Sequence, residues 1–542
     1  MSKISRRLLL SGMGTVAVGL TIGKPAFAAA PESELSQKVA PGPVSITPSD
    51  PRYLDVQLRG YNKRLVSNPE SVRIVGTTAH VVQAVNEAVA AGKRIAIRSG
   101  GHCLDGLVDN ADTKVIIDFT EMRSVTFDAD RNAFAIEPGA TLGEIYRTLD
   151  YGWGVTLPGG VCPVVGAGGH ISGNGFGALS RQHGLIADHL YAIEVVVVGS
   201  SGKAEAVVAT RETNDSNRDL WWAHTGTGGG NFGVVTKFWM RSPSTNSTTP
   251  SALLPKAPNA VMSGRAVFNW ADLTEAGFVQ LVKNWGTWVE ANSAPGSKGT
   301  QLHGALSAPR KEKGQVFVVG QVDPTISGNE ALLDSYLAAM KTGVPAVPTI
   351  VKSGKLPWLT TTINVPDSSV AQGITGPPRW KSKVGHLRAK FTDQQVSTAF
   401  KYLTSTDYTN TAASFSLTTY GGQINALAPS ATATPHRFTL MMASVSTAWD
   451  VPADDAKHLK WAREFYRDLF AATGGVPVPN DQADGLHVNW PDLDLLDTTW
   501  NSSGWAVQKL LHKENYPKLQ QIKSKYDPRN VFRHGVSVEP LS

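Results

Sequence analysis

A chain of 542 residues, 41% hydrophobic and 18% charged, is too long for one ordinary core and has a soluble globular composition. Two domains are therefore the starting expectation, and a disordered or fibrous chain is excluded. The formal charge of +6 belongs to the N-terminus: Lys3, Arg6, Arg7 and Lys24 stand in the first 28 residues, which hold no acid, and without them 47 bases face 45 acids, a balance that leaves no electrostatic footprint for nucleic acid.

Residues 1–28 carry Arg6-Arg7, an apolar run broken by Gly and Thr, and Ala26-Phe27-Ala28, the pattern of a twin-arginine export signal, with a leader over 29–50. That route carries folded proteins and suits an enzyme loaded with a cofactor before export to the periplasm or medium. No later run approaches the length of a membrane span, so no stable insertion is expected after cleavage. Cys103 and Cys162 are the only cysteines. A disulfide framework is thereby excluded, though one bridge is not. A thiol in oxidising surroundings wants a reason, and for Cys162 capture of a ligand is one.

From residue 51, short apolar strands alternate with amphipathic helices. Residues 78–91 place Val81, Val82, Val85, Ala88 and Val89 on one helical face, with Gly92 as the stop. Residues 94–98, 114–119 and 133–137 read as strands, and Thr141-Leu142-Gly143-Glu144 as a capping box that opens the next helix. Strands over 190–198 and 204–208 flank Gly199-Ser200-Ser201-Gly202 as a hairpin.

Three Gly-rich turns punctuate this region: Ser99 to His102, Gly159 to Gly177, and Gly226 to Gly233. Each is expected to follow a strand. The middle one lies in residues 158–177, eight of which are Gly, a density that argues against helix or strand. Its interspersed Val164, Val165, Ile171 and Phe176 suggest packing against something flat and apolar. Backbone amides of such turns can cradle a pyrophosphate, yet no strand–GxGxxG–helix unit of the dinucleotide type is present. Beyond a Ser/Thr/Pro linker the texture changes. Strands over 315–322, 412–420 and 438–446 and helices over 332–342 and 454–472 read as an antiparallel sheet backed by helices. The tail is expected to be one solvated helix from 505 to 534. No His pair has metal-ligand spacing, and no metal site is expected.

Arg98-Ser99-Gly100-Gly101-His102, then Cys162-x-x-Val165-x-x-Gly168-Gly169-His170, then WWAHTGTGGGNFGVVTKF and the tail NYPKLQQIKSKYDPRNVFR together resemble the berberine-bridge-enzyme-like FAD-linked oxidases of the vanillyl-alcohol-oxidase fold, of the aclacinomycin oxidoreductase and oligosaccharide oxidase type. The resemblance implies an α+β chain with an FAD-binding domain over 51–245, an antiparallel-sheet substrate domain over 246–500 and a segment over 501–542 returning to the first. It also implies FAD held by two covalent bonds, from His102 to the 8α carbon and from Cys162 to C6. Imidazole and thiolate are nucleophiles suited to an electrophilic isoalloxazine edge. The bed of the cofactor would be Arg98, Ser99, Gly100, Gly101 and Cys103; Gly159, Gly160, Gly166, Gly168, Gly169, His170, Gly173 and Gly175; Gly228, Gly229, Gly230, Asn231, Phe232, Gly233 and Val234; and Asn515 and Tyr516.

The family reaction is oxidation of an alcohol, often on a sugar, with dioxygen as acceptor and hydrogen peroxide as product. Here the family's phenols are replaced by Phe176 in the middle Gly run and Leu511 before Asn515. Tyr420 is the first substitute base and His512 the second. Phe176, Gln423, Asn425 and Leu511 are candidate substrate contacts, with His436 and Arg437 also in reach. A flavin dehydrogenase or oxidative cyclase using another acceptor, and a flavin-bearing binding protein without turnover, are the competing functions.

Overall fold

The computed structural model describes residues 43–365, 374 and 376–541. The export signal and most of the leader lie outside the described residues. Strands β1 (Val44–Ile46), β2 (Ser71–Ile74), β3 (Ile95–Arg98) and β4 (Val115–Asp118) form a four-stranded sheet in the order β1-β2-β4-β3. Here β4 pairs in parallel with both neighbours, and β1 is antiparallel to β2. A second sheet runs β5-β6-β9-β7-β8, from β5 (Val125–Asp128), β6 (Ala133–Ile136), β7 (Leu190–Val198), β8 (Ala204–Thr210) and β9 (Val234–Met240). The helix Thr78–Ala90 buries Val81, Ala84, Val85 and Ala88 in a core shared with Val115 and Ile117 of the first sheet and Val196 and Val198 of the second.

The local signals act as expected. Thr77 accepts the His80 amide and starts that helix, and Gly92 leaves it at φ +62°. Thr141 and Glu144 close a reciprocal capping box over Leu142–Trp153, and Gly154 ends it at φ 64°.

The third sheet has nine strands among the described residues: β10 (Ala260–Asn269), β11 (His303–Pro309), β12 (Gln315–Val322), β13 (Thr349–Lys352), β14 (Leu356–Pro357), β15 (Arg379–Leu387), β16 (Ala413–Thr419), β17 (Met441–Trp449) and β18 (Ala483–Gly485). Its spatial order is β13-β10-β12-β11-β16-β17-β15-β18, with β14 also on β10. Every pairing is antiparallel. Four helices (Glu275–Ala291, Asn329–Met340, Asp393–Thr404 and Asp455–Leu469) cover one face. Leu306, Ala308, Phe415, Leu417, Ala443 and Val445 face that cover, packed with Phe278, Trp285, Leu333, Val396 and Phe465. Successive side chains point to opposite faces, so the intervening residues face away, and they matter below.

Four expectations are corrected. Residues 167–172 of the middle Gly run are helical despite their glycines: Gly168 is where the Ser99 and Pro138 side chains close in, and Gly169 faces open space. Only the first Gly turn follows a strand. The second comes after the helix Leu142–Trp153 and the third after the helix Arg218–Ala223. The strand expected over 438–446 begins at Met441, since Arg437 is drawn out of the sheet into a buried ion pair with Asp188 at 2.6 Å. The tail is two helices, Val507–His512 and Tyr516–Tyr526, broken where Lys513 takes φ 48° and sends its ammonium inward to Asp484 at 2.6 Å. Nor is that tail a solvated face: Leu519, Ile522 and Tyr526 are buried, and Lys523 is sealed against Asp527 at 2.7 Å.

Candidate active site

A cavity of about 610 Å³ lies between the three Gly turns and the open face of the nine-stranded sheet. The first turn is anchored at its entry. Arg98 is fully buried, with Nε donating to Asp118 at 2.7 Å and Nη2 to the Val56 carbonyl at 2.5 Å. Ser99 Oγ donates to the Pro138 carbonyl at 2.5 Å and accepts the Gly168 amide at 3.3 Å, stitching the first turn to the second. A Cβ on Gly100 would fall 2.3 Å from the Gly166 nitrogen, so the two backbones are in direct contact. His102 emerges from this turn with its ring stacked on Tyr61, centroids 4.5 Å apart. Cys103 is in no disulfide; its thiol donates to the Asp105 carbonyl at 2.9 Å, and burial pushes it up to about 11.

The second turn hangs from the capped helix. Leu142 and Gly143 donate their amides to the Val165 and Pro163 carbonyls at 2.9 and 2.8 Å, and the Tyr146 hydroxyl donates to the Gly160 carbonyl at 2.6 Å. His170 Nε2 accepts the Gly160 amide at 2.9 Å, and burial holds its imidazole down to about 4, so it is neutral and acts as an acceptor. Cys162 sits between these fastenings. His102 and Cys162 line the same cavity.

Of the residues expected at the cofactor, the lining also includes Arg98, Ser99, Gly100, Gly101, Cys103, Gly160, Gly166, Gly168, Gly169, His170, Gly228, Gly229, Gly230 and Gly233. The others lie behind it. Gly175 leaves room for the His170 ring, Gly159 for the Tyr146 hydroxyl and Gly173 for Asn489. Asn231 holds the third turn together through Thr227 and Gly228, Phe232 and Val234 are core, and Asn515 donates to the carbonyls of Pro429, Thr432 and Ala433. Tyr516 stacks on His512 at 6.0 Å.

The proposed bases also lie outside the lining. Tyr420 is fully buried behind Phe176, rings 5.2 Å apart edge to face; its hydroxyl has no partner among the described residues, and burial pushes the phenol up. His512 is buried, and burial with the neighbouring His534 holds it down to about 3. Its neighbour Leu511 is the residue that reaches the cavity, as Phe176 does. Gln423 and Asn425 stand on the turn Gly422–Ala426, where Asn425 donates to the Thr439 carbonyl at 2.9 Å. His436 is buried in a stack with His386 at 4.3 Å.

Sequence reasoning missed the opposite wall. It consists of Trp380, Ser382 and Val384 from β15, Thr418 from β16, Met442, Ser444 and Ser446 from β17, and His303 and Ala305 from β11, with Asn489 and Trp490 at one side. Ser382 and Ser446 meet across the strands at 2.7 Å. The signal was present as Ser or Thr at every second position of residues 414–418 and 444–446, on the face opposite the core residues.

The residues fit FAD. The amides of Gly100, Gly101, Gly229 and Gly230 donate to no acceptor among the described residues, and a side chain at Gly169 or Gly229 would project into open space. Bare backbone with unused donors is what a diphosphate needs, while Leu142, Val165 and Ile97 give apolar walls for flat rings. Fold and cavity together define an FAD-linked oxidoreductase. Residues 69–205 match the FAD binding domain family and residues 487–539 the berberine and berberine-like family. The chain is 46% identical to the aclacinomycin-N/aclacinomycin-A oxidase of Streptomyces galilaeus, over 92% of this chain and 90% of that one. It is 28% identical to the hexose oxidase of Chondrus crispus, over 91% and 94%. A glycopeptide hexose oxidase solved with teicoplanin superposes with a TM-score of 0.87 at 46% identity, covering 92% of this chain and 99% of that one. The chain belongs to the berberine-bridge-enzyme-like FAD-linked oxidases.

Proposed function

We propose that this protein is an exported oxidase that converts a hydroxyl of a sugar, oligosaccharide or glycosylated secondary metabolite to a carbonyl, on FAD bonded covalently to His102 and Cys162, with dioxygen as acceptor and hydrogen peroxide as product. The observation that carries the substrate class is the opposite wall of the cavity. Ser382, Ser446, Ser444 and Thr418 offer hydroxyls that both donate and accept, as a polyol requires, beside the flat faces of Trp380, Trp490 and Phe176. The relatives named as hexose oxidases support the same class. FAD, when bound, accepts a hydride. The chain's own part is to hold the sugar on the hydroxyl-lined strands, to shield it with the aromatics, and to receive a proton.

The double tether is supported by His102 and Cys162 lining one cavity, each on a turn fastened to the other through Ser99. Export is supported by Arg6-Arg7 and Ala26-Phe27-Ala28. Intact-mass measurement of protein recovered outside the cytoplasm is expected to give a chain starting at Ala29 plus one FAD. In acid precipitation His102→Ala and Cys162→Ala each keep the yellow colour in the pellet and the double variant releases it. Colour released from the unaltered protein rules out both bonds.

The function itself is tested by anaerobic mixing with a panel of saccharides and glycosides. Bleaching of the flavin, followed on aeration by one peroxide per flavin, is the expected result; a panel that leaves the flavin oxidised overturns it. Leu511 and Phe176, where the family resemblance implies phenols, favour as a second reading a flavoprotein without turnover, which would bind a glycoside with no bleaching.

A further inference from the structure

Oxidation of an alcohol releases a hydroxyl proton, and neither Leu511 nor Phe176 can accept one. Most ionisable side chains lining the cavity are otherwise engaged. His170 accepts the Gly160 amide, His224 Nδ1 donates to the Leu220 carbonyl at 2.8 Å, and Asp109 accepts from Ser67 at 2.9 Å. His534 lies against Gly230, among the Gly turns. Tyr61 packs on His102.

His303 differs from all of these. It opens β11, and strand alternation puts it on the face of Ala305, opposite the core residues Leu306 and Ala308. Among the described residues it is the only ionisable side chain that the nine-stranded sheet presents to the cavity. Its Nδ1 lies 3.5 Å from Thr419 Oγ1, which also accepts the Gly304 amide at 2.9 Å. A neutral imidazole carries its proton on one of its two nitrogens, and in the tautomer that donates Nδ1–H to Thr419 Oγ1 the lone pair is on Nε2. Nε2 has no partner among the described residues and is not sealed from solvent.

We propose that His303 is the catalytic proton acceptor of the oxidation. The O–H bond of the bound substrate hydroxyl breaks as its proton goes to Nε2, the carbinol C–H bond breaks as hydrogen leaves with its electron pair for the FAD, and the carbonyl double bond forms between carbon and oxygen. This rests on the alcohol-oxidase reading above.

Burial, with the Arg181 guanidinium, holds the His303 imidazole down to about 4. Arg181 comes from the helix Ser180–His183 and is pinned to the carbonyls of Leu302, Gly299, Asn292 and Tyr420. Gln321, opposite on β12, and Thr419 are neutral. The ring is therefore neutral, with its lone pair available, across the ordinary pH range.

The test uses the flavin-loaded enzyme and its His303→Gln and His303→Ala variants, each checked for flavin content and melting temperature. With a glycoside that bleaches the unaltered enzyme, flavin reduction should fall on the order of 100-fold or more in both variants, with glycoside affinity within about threefold. Reduction by the unaltered enzyme should decline as pH drops through about 4, a step missing from both variants, and added imidazole should restore part of the rate to His303→Ala. Independently of turnover, the ring nitrogen resonances of His303, identified by their loss in His303→Gln, should move when the glycoside binds. Variants that reduce within about threefold of the unaltered rate, or ring resonances blind to the glycoside, overturn His303 and leave the oxidase reading standing. An unaltered enzyme that no saccharide, glycoside or simple alcohol reduces removes the oxidase reading, and His303 with it.

Discussion

Gly166→Ala is expected to yield a protein with little flavin and a sharply lowered melting temperature. The added Cβ would lie 2.2 Å from both the Gly100 nitrogen and Ser99 Oγ, and 2.8 Å from Gly100 Cα. Overpacking in a core costs about 1–3 kcal/mol where side chains can shift. Here the obstacle is largely backbone, so about 3 kcal/mol is the lower end of the expectation. The backbone at Gly166 has φ −79° and ψ 145°, which any residue adopts, so conformational strain adds nothing and the effect is purely steric. The functional consequence follows from what the contact joins. Gly100 stands two residues from His102 and Gly166 four from Cys162, so prising these turns apart moves both proposed tethers. Gly100→Ala should behave alike, and the double variant should cost less than the sum, since both crowd the same contact and the first has already forced it apart. Gly152→Ala is the control. It is exposed within the helix Leu142–Trp153, away from the cavity lining, and nothing beyond its own helix and chain neighbours lies within 4 Å of its added Cβ. Its stability should stay within about 1 kcal/mol, on the favourable side. Thermal melting and the flavin-to-protein ratio read all four variants. A Gly166→Ala protein with an unchanged melting temperature and full flavin would show the two turns to be apart.

What could be read from the residues depended on how local the cause was. The Thr141–Glu144 capping box, the stop at Gly92 and the hairpin at Gly199 to Gly202 are decided within a few positions, and the strands and helices they bound formed accordingly. The gathering of His102 and Cys162 into one cavity was legible because each rides on a glycine turn, and glycine density marks where backbones approach. The hydroxyl-lined wall of the cavity was not legible as a wall. Ser382 and Ser446 are 64 positions apart and His303 and Thr419 are 116 apart, and only strand register makes them neighbours. Tyr420 was chosen for its chemistry at a strand end. Whether a phenol there meets the cavity is settled by Phe176 lying over it, a packing outcome with no local signature. The break at Lys513 has a similar origin, because Asp484, which draws its ammonium inward, comes from β18.

Lys381→Met is expected to cost about 3–5 kcal/mol, the range for removing one partner from a buried ion pair. Lys381 on β15 is almost wholly buried, and its ammonium lies 3.0 Å from Asp105, 2.8 Å from Asp492 and 3.0 Å from Asp494. Lys383, also buried, bridges Asp492 and Asp494, while Arg463 reaches Asp494 at 2.6 Å and Arg64 reaches Asp105 at 3.4 Å. Met keeps the length and removes the charge, leaving Asp105, among the described residues, with the more distant Arg64 as its one cation beside the Leu493 and Gly106 amides. Exposed pairs make the contrast: Lys460→Met at the pair with Glu464 should change stability by under about 1 kcal/mol. The pH dependence has a definite sign. Burial pushes the Asp105 and Asp494 carboxyls up, but Lys381 and the neighbouring cations outweigh it and hold both below the ordinary carboxylate range. Folded values depressed in this way contribute stability that is complete above the unfolded value, about 4, and is lost as pH falls below it. In Lys381→Met the same carboxylates are left buried with less compensation, their folded values rise, and protonation relieves them. The gap between the two proteins is therefore widest near pH 7 and narrows towards pH 4, read as urea midpoints across that range. A gap under about 1 kcal/mol at pH 7, or one that keeps its size down to pH 4, shows that the ammonium does not hold these carboxylates. The cluster also joins three parts of the cavity, since Asp105 follows Cys103 by two residues, Lys381 stands between Trp380 and Ser382, and Asp492 lies just beyond Trp490 and Pro491. Loosening it should raise the glycoside concentration needed for half-maximal flavin reduction more than it slows reduction at saturation, because the wall proposed to receive the sugar is displaced while the turns that carry His102 and Cys162 keep their own fastenings at Ser99 and Gly166.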